Sequence, residues 1–167
     1  MFRHVKRVHF IGIGGIGMSG LAKILLADKQ KVSGSDISPS PLIDELKALG
    51  AQIHMGHDEK YVPEGSSIVY NTQISVRDNP EFQWGVKQHM PLMHRSDLLM
   101  NLMKEKKTFA IAGTHGKTTT SSLATTVFIE CGQFPTYAVG GVLKAYGTNA
   151  SRNSGESFIA EVDESDG

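Results

Sequence analysis

The stretch RVHFIGIGGIGMSGLA (residues 7–22) joins a short apolar run to a glycine cluster and then to apolar positions at helical spacing. The first part is rich in β-branched and aromatic side chains, which predicts a strand. The last part has the periodicity of a helix. Between them, Gly12, Gly14 and Gly17 form the pattern G-x-G-x-x-G. This order of strand, glycine turn and helix predicts the first unit of a parallel α/β sheet.

The glycine pattern is suited to holding a phosphate-bearing ligand. Gly12 permits a tight turn, Gly14 lets the backbone approach a pyrophosphate, and Gly17 allows the helix to pack closely on the strand. The helix N-terminus presents unpaired N–H groups to the anion. Asp36 ends the next predicted strand, 19 residues beyond Gly17, and is placed to accept hydrogen bonds from a ribose. These residues predict a nucleotide site without identifying the nucleotide, and a nicotinamide dinucleotide would also fit them.

Strands and helices alternate through the first two thirds of the chain. Strands are predicted at 31–36, 51–55, 66–71 and 91–95, and helices at 41–49, from 79, and at 96–105. Ser40 and Asn79 each precede a proline, the order that begins a helix. The charged run Lys104–Lys107 is predicted to end a first domain, residues 1–107. The alternation makes this domain a Rossmann-like parallel sheet with helices on its faces.

A second strand–loop–helix unit follows this boundary. A strand is predicted at 108–112 and a helix at 117–130, joined by a glycine-rich loop that contains Gly-Lys-Thr. Backbone N–H groups of such a loop wrap phosphates, Lys117 neutralises the β- and γ-phosphate oxygens, and the Thr118 hydroxyl can bind Mg²⁺. The loop departs from the general P-loop pattern because Ile111 stands where the first glycine should be. Two phosphate loops point to two different nucleotides, which disfavours a simple dehydrogenase.

Residues 108–167 are predicted to be the start of a P-loop α/β ATP-binding domain. Strands at 135–139 and 157–162 continue the alternation. About 60 residues are too few for a complete α/β domain, whose usual size is about 100–150 residues. We therefore expect an incomplete sheet that leaves apolar faces uncovered and leans on the first domain.

The composition excludes several classes of protein. The 167 residues carry 17 Lys and Arg against 17 Asp and Glu, and this neutrality excludes a strongly basic nucleic-acid binder. The single cysteine, Cys131, excludes a disulfide framework and a cysteine zinc site. No apolar stretch approaches the ~18 uninterrupted residues that indicate a membrane span. We expect a soluble cytoplasmic protein with no nucleic-acid partner and no membrane insertion.

Four acidic residues cluster at the end of the sequence: Glu161, Asp163, Glu164 and Asp166. A charge run of this kind is usually a solvated surface. These acids directly follow a predicted strand, however, and acids at the exit of a strand are also common metal ligands. The residues alone leave both interpretations open.

Several motifs occur together along the chain: HFIGIGGIGMSGLA (9–22), VSGSD (32–36), DNPE (78–81), AGTHGKTTT (112–120) and AEVDESD (160–166). In this combination the sequence resembles the Mur ligases, and the resemblance covers essentially the whole chain. Within the family it is closest to the members that act on UDP-N-acetylmuramate and L-alanine. The resemblance implies a bacterial cytoplasmic enzyme of three domains, of which this chain holds the first and the start of the second.

The resemblance also implies a reaction and its cofactors. In the family, the first domain binds the UDP end of a sugar nucleotide, and the central domain binds ATP and Mg²⁺. ATP phosphorylates the muramyl carboxylate, and the amine of alanine then attacks the acyl phosphate to form an amide of a peptidoglycan precursor. We expect this chain to bind the sugar nucleotide without completing catalysis, because the third domain and later ATP ligands lie outside it.

Site residues follow from the positions that match the family motifs. The implied UDP-sugar contacts are Gly12, Gly14, Gly15, Ile16, Gly17, Asp36, His57 and Arg95. The implied ATP contacts are Gly113, Thr114, His115, Gly116, Lys117, Thr118 and Thr119, with Lys117 also catalytic as the lysine that grips phosphate. Thr118 and Glu161 are the implied Mg²⁺ ligands, and Asp163 and Glu164 lie near enough to Glu161 to be confused with it. His57 and Arg95 remain open between ligand contacts and ordinary surface or helix-entry positions.

Two other functions compete with the ligase. An NAD-binding oxidoreductase would rest on Gly12–Gly17 and Asp36 alone, and it leaves the Gly-Lys-Thr loop unexplained. A sugar-nucleotide-binding module without catalysis would use the first domain only. Binding of NADH, compared with binding of a UDP-sugar, separates the oxidoreductase from the ligase.

Overall fold

The computed structural model describes residues 7–72 and 78–162. The first part of the chain forms, in order, β1 (Arg7–Ile11), α1 (Ile16–Ala27), β2 (Lys31–Asp36), α2 (Pro41–Ala48), β3 (Gln52–Met55), β4 (Ser67–Tyr70), α3 (Pro80–Lys87), β5 (Leu92–His94) and α4 (Arg95–Met103). The five strands are parallel and lie in the order β3-β2-β1-β4-β5. This order, with β1 in the middle and the chain moving outward on both sides, is that of a doubly wound sheet. The predicted Rossmann-like fold is confirmed.

A second sheet follows. Its elements are β6 (Lys107–Ile111), α5 (Lys117–Glu130), β7 (Thr136–Leu143), β8 (Thr148–Ser151) and β9 (Ser157–Glu161). The strands lie in the order β6-β9-β7-β8. The first three are parallel, and β8 pairs antiparallel with β7. The last strand in sequence therefore lies inside the sheet, beside the strand that leads into the second glycine loop.

Two helices begin at the predicted caps. The side chain of Ser40 accepts a hydrogen bond from the N–H of Ile43, and a proline occupies the first turn of α2. The side chain of Asn79 accepts hydrogen bonds from the N–H groups of Glu81 and Phe82 at the start of α3. These bonds satisfy backbone donors that a helix leaves unpaired at its first turn.

Two predicted boundaries are wrong. Helix α4 begins at Arg95 and is capped by the ring of His94, which accepts a hydrogen bond from the N–H of Ser96. Strand β7 continues through Gly140-Gly141, beyond its predicted end at residue 139, and the chain reverses only around Gly147, whose φ is +68°. The β7–β8 hairpin was not predicted, because glycines inside a strand give the same signal as glycines in a turn.

Helix α1 is shared by the two sheets. Leu21 and Leu25 pack with Phe10 of the first sheet and with Ala150 and Phe158 of the second in one continuous core. Gly20 allows the close approach, since a Cβ at this position would lie 3.3 Å from the Cβ of Ala150. The helix that starts at the first glycine loop is therefore packed directly against the sheet that carries the second loop.

Apolar side chains of β6 and of α5, the helix of the second sheet, remain in contact with solvent. Phe109 is 47% exposed, Leu123 62% and Val127 58%. These residues agree with the expectation of uncovered apolar faces in this part of the chain. Among the helices of the described residues, none has the length and apolarity needed to cross a bilayer.

The buried Lys23 links helices of the first sheet to a strand of the second sheet. The Lys23 ammonium donates hydrogen bonds to Glu45 at 2.6 Å, to Asn149 at 2.7 Å and to Thr148 at 3.0 Å. The side chain of Lys23 is only 4% exposed. Asn149 in turn donates to the carbonyl of Ile16 at 2.7 Å. These contacts join α1 and α2 to β8.

Replacing Lys23 with alanine should lower the free energy of unfolding by about 1–3 kcal/mol, because Asn149 and Glu45 would lose their donor. Urea denaturation of the two proteins measures the difference. Lys47→Ala, an exposed lysine of α2, is the matched control and should change stability by less than about 0.5 kcal/mol. Equal stability of Lys23→Ala and the wild type would contradict the structural role of the ammonium.

Candidate functional site

The first glycine loop leaves the carboxyl end of β1 and turns into α1. Gly12 has a φ of +78°, a left-handed conformation that glycine adopts without strain. The N–H groups of Gly12 and Ile13 donate to the carbonyl of Ser35 at 2.9 and 3.0 Å. The turn is therefore fixed to the end of the neighbouring strand β2.

Asp36 lies beside the loop, as its position at the end of β2 predicts. One carboxylate oxygen accepts a hydrogen bond from the N–H of Gly14 at 2.8 Å, and the other accepts from the N–H of Ser38 at 3.1 Å. The carboxylate is thus oriented by backbone donors at the place where a nucleotide ribose lies in doubly wound sheets. Its contact with a ribose stays a prediction.

Arg95 is brought against the first turn of α1. A Cβ on Gly17 would collide with the Arg95 guanidinium, so the two residues are in direct contact. The N-termini of helices carry a partial positive charge. A guanidinium and a helix N-terminus at one place form a site suited to an anion such as a diphosphate. Gly15 is the cap residue that precedes α1, and Ile16 is the first residue of that helix.

His57 belongs to a buried polar cluster that sequence reasoning missed. Its Nδ1 lies 2.9 Å from the hydroxyl of Ser35. The Ser35 hydroxyl also donates to Glu81 at 2.5 Å, and Glu81 accepts from the N–H of Asp58 at 3.3 Å. Glu81 is fully buried and its carboxylate lies 3.4 Å from Nε2 of His9. The DNPE motif had indicated only the start of a helix. Its last residue, Glu81, contacts β1 through His9, β2 through Ser35 and the turn after β3 through Asp58.

The environment of Glu81 favours its ionised form. Burial alone would raise the pKa of the carboxyl, but hydrogen bonds from His9, Ser35 and the N–H of Asp58 outweigh burial and lower the pKa below its ordinary value of 4.5. A carboxyl with a lowered pKa in the folded state adds stability above the pKa of the unfolded state. That stability is lost as the pH falls through the lower pKa of the folded state.

The free energy of unfolding should therefore decline as the pH drops from about 4.5 downward, and part of this decline should be absent in Glu81→Gln. Urea denaturation at intervals between about pH 7 and pH 3 gives both profiles. If the free energy of unfolding declined equally with falling pH in both proteins, the folded state would not favour the ionised form of Glu81.

The second glycine loop connects β6 to α5. Gly116 precedes the helix with a φ of +76°, and Lys117 is the first residue of α5. The Lys117 ammonium donates to the carbonyl of Gly113 at 2.7 Å, which folds the side chain over the loop. The remaining predicted contacts are the exposed residues Thr114, His115 and Thr119. The loop thus presents backbone N–H groups and an ammonium at the start of a 14-residue helix, as phosphate binding requires.

Glu161 lies at the carboxyl end of β9, directly opposite this helix. Its carboxylate accepts hydrogen bonds from the Thr118 hydroxyl at 3.1 Å, from the Ser121 hydroxyl at 2.5 Å and from the N–H of Gly140 at 2.8 Å. Gly140 is required here, because a Cβ would collide with the carboxylate and lie 2.9 Å from the Thr118 hydroxyl. Sequence reasoning missed both Ser121 and Gly140 as partners of Glu161.

Thr118 and Glu161 fit the predicted magnesium site. Both offer hard oxygen ligands, which Mg²⁺ prefers at about 2.0–2.1 Å in octahedral geometry. Adjacent ligands in such an octahedron are about 2.9 Å apart, close to the 3.1 Å between the two side-chain oxygens. Asp163 and Glu164, the alternative ligands, lie outside the described residues. Within residues 7–72 and 78–162, no set of three or more His, Cys, Asp or Glu side chains is arranged to hold a metal by itself.

A cleft of about 130 Å³ joins the two loops. Gly17 and Arg95 line it from the first sheet, and Lys117, Gly140 and Glu161 line it from the second. Pockets that enclose whole small-molecule ligands usually have volumes of about 300–1,000 Å³. The cleft is therefore suited to the reacting ends of two larger ligands, each lying along its own loop.

The chain is similar to known proteins over most of its length. The family model described as Mur ligase family, catalytic domain, matches residues 7–107. A protein from Nocardioides sp. named UDP-N-acetylmuramate–L-alanine ligase is 48% identical over 161 residues, which are 96% of this chain and 36% of the relative. A protein of the same name from Oleidesulfovibrio alaskensis is 46% identical over 167 residues, 100% of this chain and 37% of the relative. The chain spans about a third of the length of these relatives.

Solved structures share the fold. The structure of UDP-N-acetylmuramate-alanine ligase from Thermotoga maritima superposes with a TM-score of 0.89 at 30% identity, over 96% of this chain and 37% of that chain. The structure of UDP-N-acetylmuramate:L-alanyl-gamma-D-glutamyl-meso-diaminopimelate ligase from Neisseria meningitides gives a TM-score of 0.85 at 28% identity, over 96% of this chain and 53% of that chain. Both superpositions include the two sheets and the helix between them.

Proposed function

The chain belongs to the Mur ligase family, and from this premise we propose that it supplies the sugar-nucleotide site and the phosphate loop of an ATP-dependent ligase. The ligase joins L-alanine to UDP-N-acetylmuramate through an acyl phosphate. Residues 1–107 are the UDP-sugar-binding domain in this proposal, and residues 108–167 begin the ATP-binding domain. The relatives that carry the name of this activity support the choice of substrates.

The sugar nucleotide lies along the first loop in this proposal. Its diphosphate binds the N–H groups at the start of α1 and the guanidinium of Arg95, which already lies against Gly17. Its ribose lies beside Asp36, and its base lies toward His57. The N-acetylmuramyl end then points into the cleft between the sheets, where its carboxylate meets the second loop.

ATP lies along the second loop. A carboxylate oxygen of the muramyl group attacks the γ-phosphorus, the bond to the β-phosphate oxygen breaks, and ADP leaves. Lys117 stabilises the charge on the transferred phosphoryl group, since positioning and electrostatics dominate phosphoryl transfer. Thr118 and Glu161 would hold Mg²⁺, which neutralises phosphate charge when bound.

The amide forms in a second step. The neutral amine of L-alanine attacks the acyl carbon, the bond to the phosphate oxygen breaks, and inorganic phosphate leaves with the bonding electron pair. The nitrogen then loses a proton. No residue of this chain is assigned to the amine.

The observation that carries the proposal is the shared cleft. Arg95 and Gly17 of the first loop line the same small space as Lys117 and Glu161 of the second. Two ligands bound at these loops would meet there, as transfer from ATP to a carboxylate requires. A dehydrogenase would have no use for the second loop, which distinguishes the two functions.

A phosphate-release assay tests the proposal. We expect the 167-residue chain alone to show no alanine-dependent release, because it spans only about a third of the relatives that carry the name of this activity. A chimera in which this chain replaces the matching third of the Nocardioides relative should release phosphate only with ATP, UDP-N-acetylmuramate and L-alanine together. Release that ignores UDP-N-acetylmuramate would contradict the assigned substrate, and turnover by the chain alone would show that its site is complete.

A further inference from the structure

The buried carboxylate of Glu81 has no part in the function proposed so far. We propose that it fixes which nitrogen of His57 carries the proton, and that the site thereby selects uracil over cytosine. The inference rests on the proposed function, in which a nucleoside diphosphate lies along the first loop and Asp36. Glu81 is a positioning residue in this scheme, and His57 is the residue that touches the base.

The place of His57 relative to the nucleotide follows from the sheet. The N–H of Gly56 donates to the carbonyl of Asp36 at 2.8 Å, so the turn after β3 is attached to the end of β2. In doubly wound sheets the diphosphate lies at the first loop and the ribose at the acid that ends β2. The base then extends past that acid toward the next loop. The side chain of His57 is 21% exposed at this position.

A count of protons gives the tautomer of His57. The Ser35 hydroxyl has one proton, and its oxygen lies within hydrogen-bond distance of both Glu81 and Nδ1 of His57. An ionised carboxylate can only accept, so the hydroxyl proton goes to Glu81. The Ser35 oxygen then accepts from Nδ1–H of His57. A neutral imidazole with the proton on Nδ1 has an acceptor at Nε2.

Nε2 is the ring nitrogen of His57 that the buried cluster leaves available for recognition. Within the described part of the chain, Nε2 of His57 forms no hydrogen bond, and the other ring nitrogen is held by the buried cluster. Uracil has a donor at N3–H, whereas cytosine has an acceptor at N3. An acceptor at Nε2 therefore pairs with uracil and opposes cytosine, and leaving two acceptors face to face costs affinity.

Glu81→Gln should reverse this arrangement. Its amide oxygen replaces the carboxylate oxygen that accepts from the N–H of Asp58, which places the amide NH₂ toward Ser35. The Ser35 oxygen would then accept from the amide and donate its own proton to Nδ1 of His57. The proton of the neutral imidazole would move to Nε2, which becomes a donor and matches cytosine rather than uracil.

The experiment is a calorimetric titration with UDP and with CDP in mildly alkaline buffer. We expect the wild-type chain to bind UDP about tenfold tighter than CDP, and Glu81→Gln to lose or reverse that preference. Glu59→Gln, an exposed glutamate near the same turn, should keep it. In the His57→Ala background, the further change Glu81→Gln should leave the UDP-to-CDP ratio unchanged, because Glu81 acts through His57.

A second measurement does not depend on the fold of the variant. Long-range ¹H–¹⁵N NMR of the wild-type chain reports which nitrogen of His57 is protonated, and we expect Nδ1. Protonation at Nε2, equal affinities of the wild type for UDP and CDP, or a preference for UDP that survives in Glu81→Gln would each overturn the inference while leaving the proposed function intact. A wild-type chain that binds neither nucleotide would overturn both.

Discussion

Replacing Gly14 with valine is expected to lower the affinity for UDP-N-acetylmuramate at least about 100-fold. A Cβ at this position would lie 2.9 Å from the carboxylate of Asp36 and 3.0 Å from Cδ1 of Ile43. The two further methyl groups would have to point out of the loop, into the space where the diphosphate approaches the backbone. The Gly14 N–H would also lose its 2.8 Å bond to Asp36 if the loop moved.

Calorimetry with UDP-N-acetylmuramate measures this loss, and circular dichroism shows whether the variant is folded. Ala27→Val adds the same side chain at an exposed position of α1 and is the matched control, with wild-type affinity expected. A folded Gly14→Val chain that binds as tightly as the wild type would show that the diphosphate does not lie on this loop.

Replacing Lys117 with alanine is expected to reduce alanine-dependent phosphate release at least about 100-fold in the chimera described above. The ammonium lies over the loop, 2.7 Å from the carbonyl of Gly113, and shares the cleft with Glu161. Removing it takes a positive charge from the phosphoryl group during transfer, where electrostatic stabilisation dominates. Affinity for UDP-N-acetylmuramate should stay nearly unchanged, because the proposed site of that ligand is the other loop.

Lys144→Ala removes an exposed lysine from the β7–β8 turn of the same sheet and should leave turnover unchanged. The separation of turnover from sugar-nucleotide affinity is the informative part of this experiment. If Lys117→Ala weakened both equally, the loss would reflect a damaged fold, and near wild-type release would show that another group grips the phosphate.

Local patterns in the sequence predicted the parts of the fold that depend on neighbouring residues. A cap followed by proline predicted the start of α2 and α3, and a glycine cluster after a strand predicted both glycine loops. Asp36 could be placed beside the first loop because consecutive parallel strands end at one edge of a sheet. Each of these predictions needs only the residues of one or two adjacent elements.

The parts that could not be predicted depend on contacts between distant residues. Glu81 reaches Ser35, 46 positions earlier, and His9, 72 positions earlier, and a glutamate in the first turn of a helix is ordinarily a solvated residue. Ser121 contacts Glu161 across 40 positions. A helical serine carries no signal of such a contact, although its position one turn beyond Thr118 places both hydroxyls on one face of α5.

The hairpin of β7 and β8 shows the same limit. Gly140 keeps the strand extended and close to Glu161, whereas a pair of glycines is more often found in turns. The packing of α1 against β8 at Gly20 could not be predicted either, because a glycine inside a helix usually weakens the helix. Both glycines became interpretable only when the neighbouring sheet was known.

Calorimetric titration of the 167-residue chain with UDP-N-acetylmuramate and, separately, with NADH shows which nucleotide the first loop binds. We expect saturable binding of one UDP-N-acetylmuramate per chain and no response to NADH, because in the proposed function the first loop, Asp36 and Arg95 hold a sugar nucleotide whose other end reaches the second loop. Binding of NADH with no response to UDP-N-acetylmuramate would contradict the account and assign the first loop to a nicotinamide cofactor.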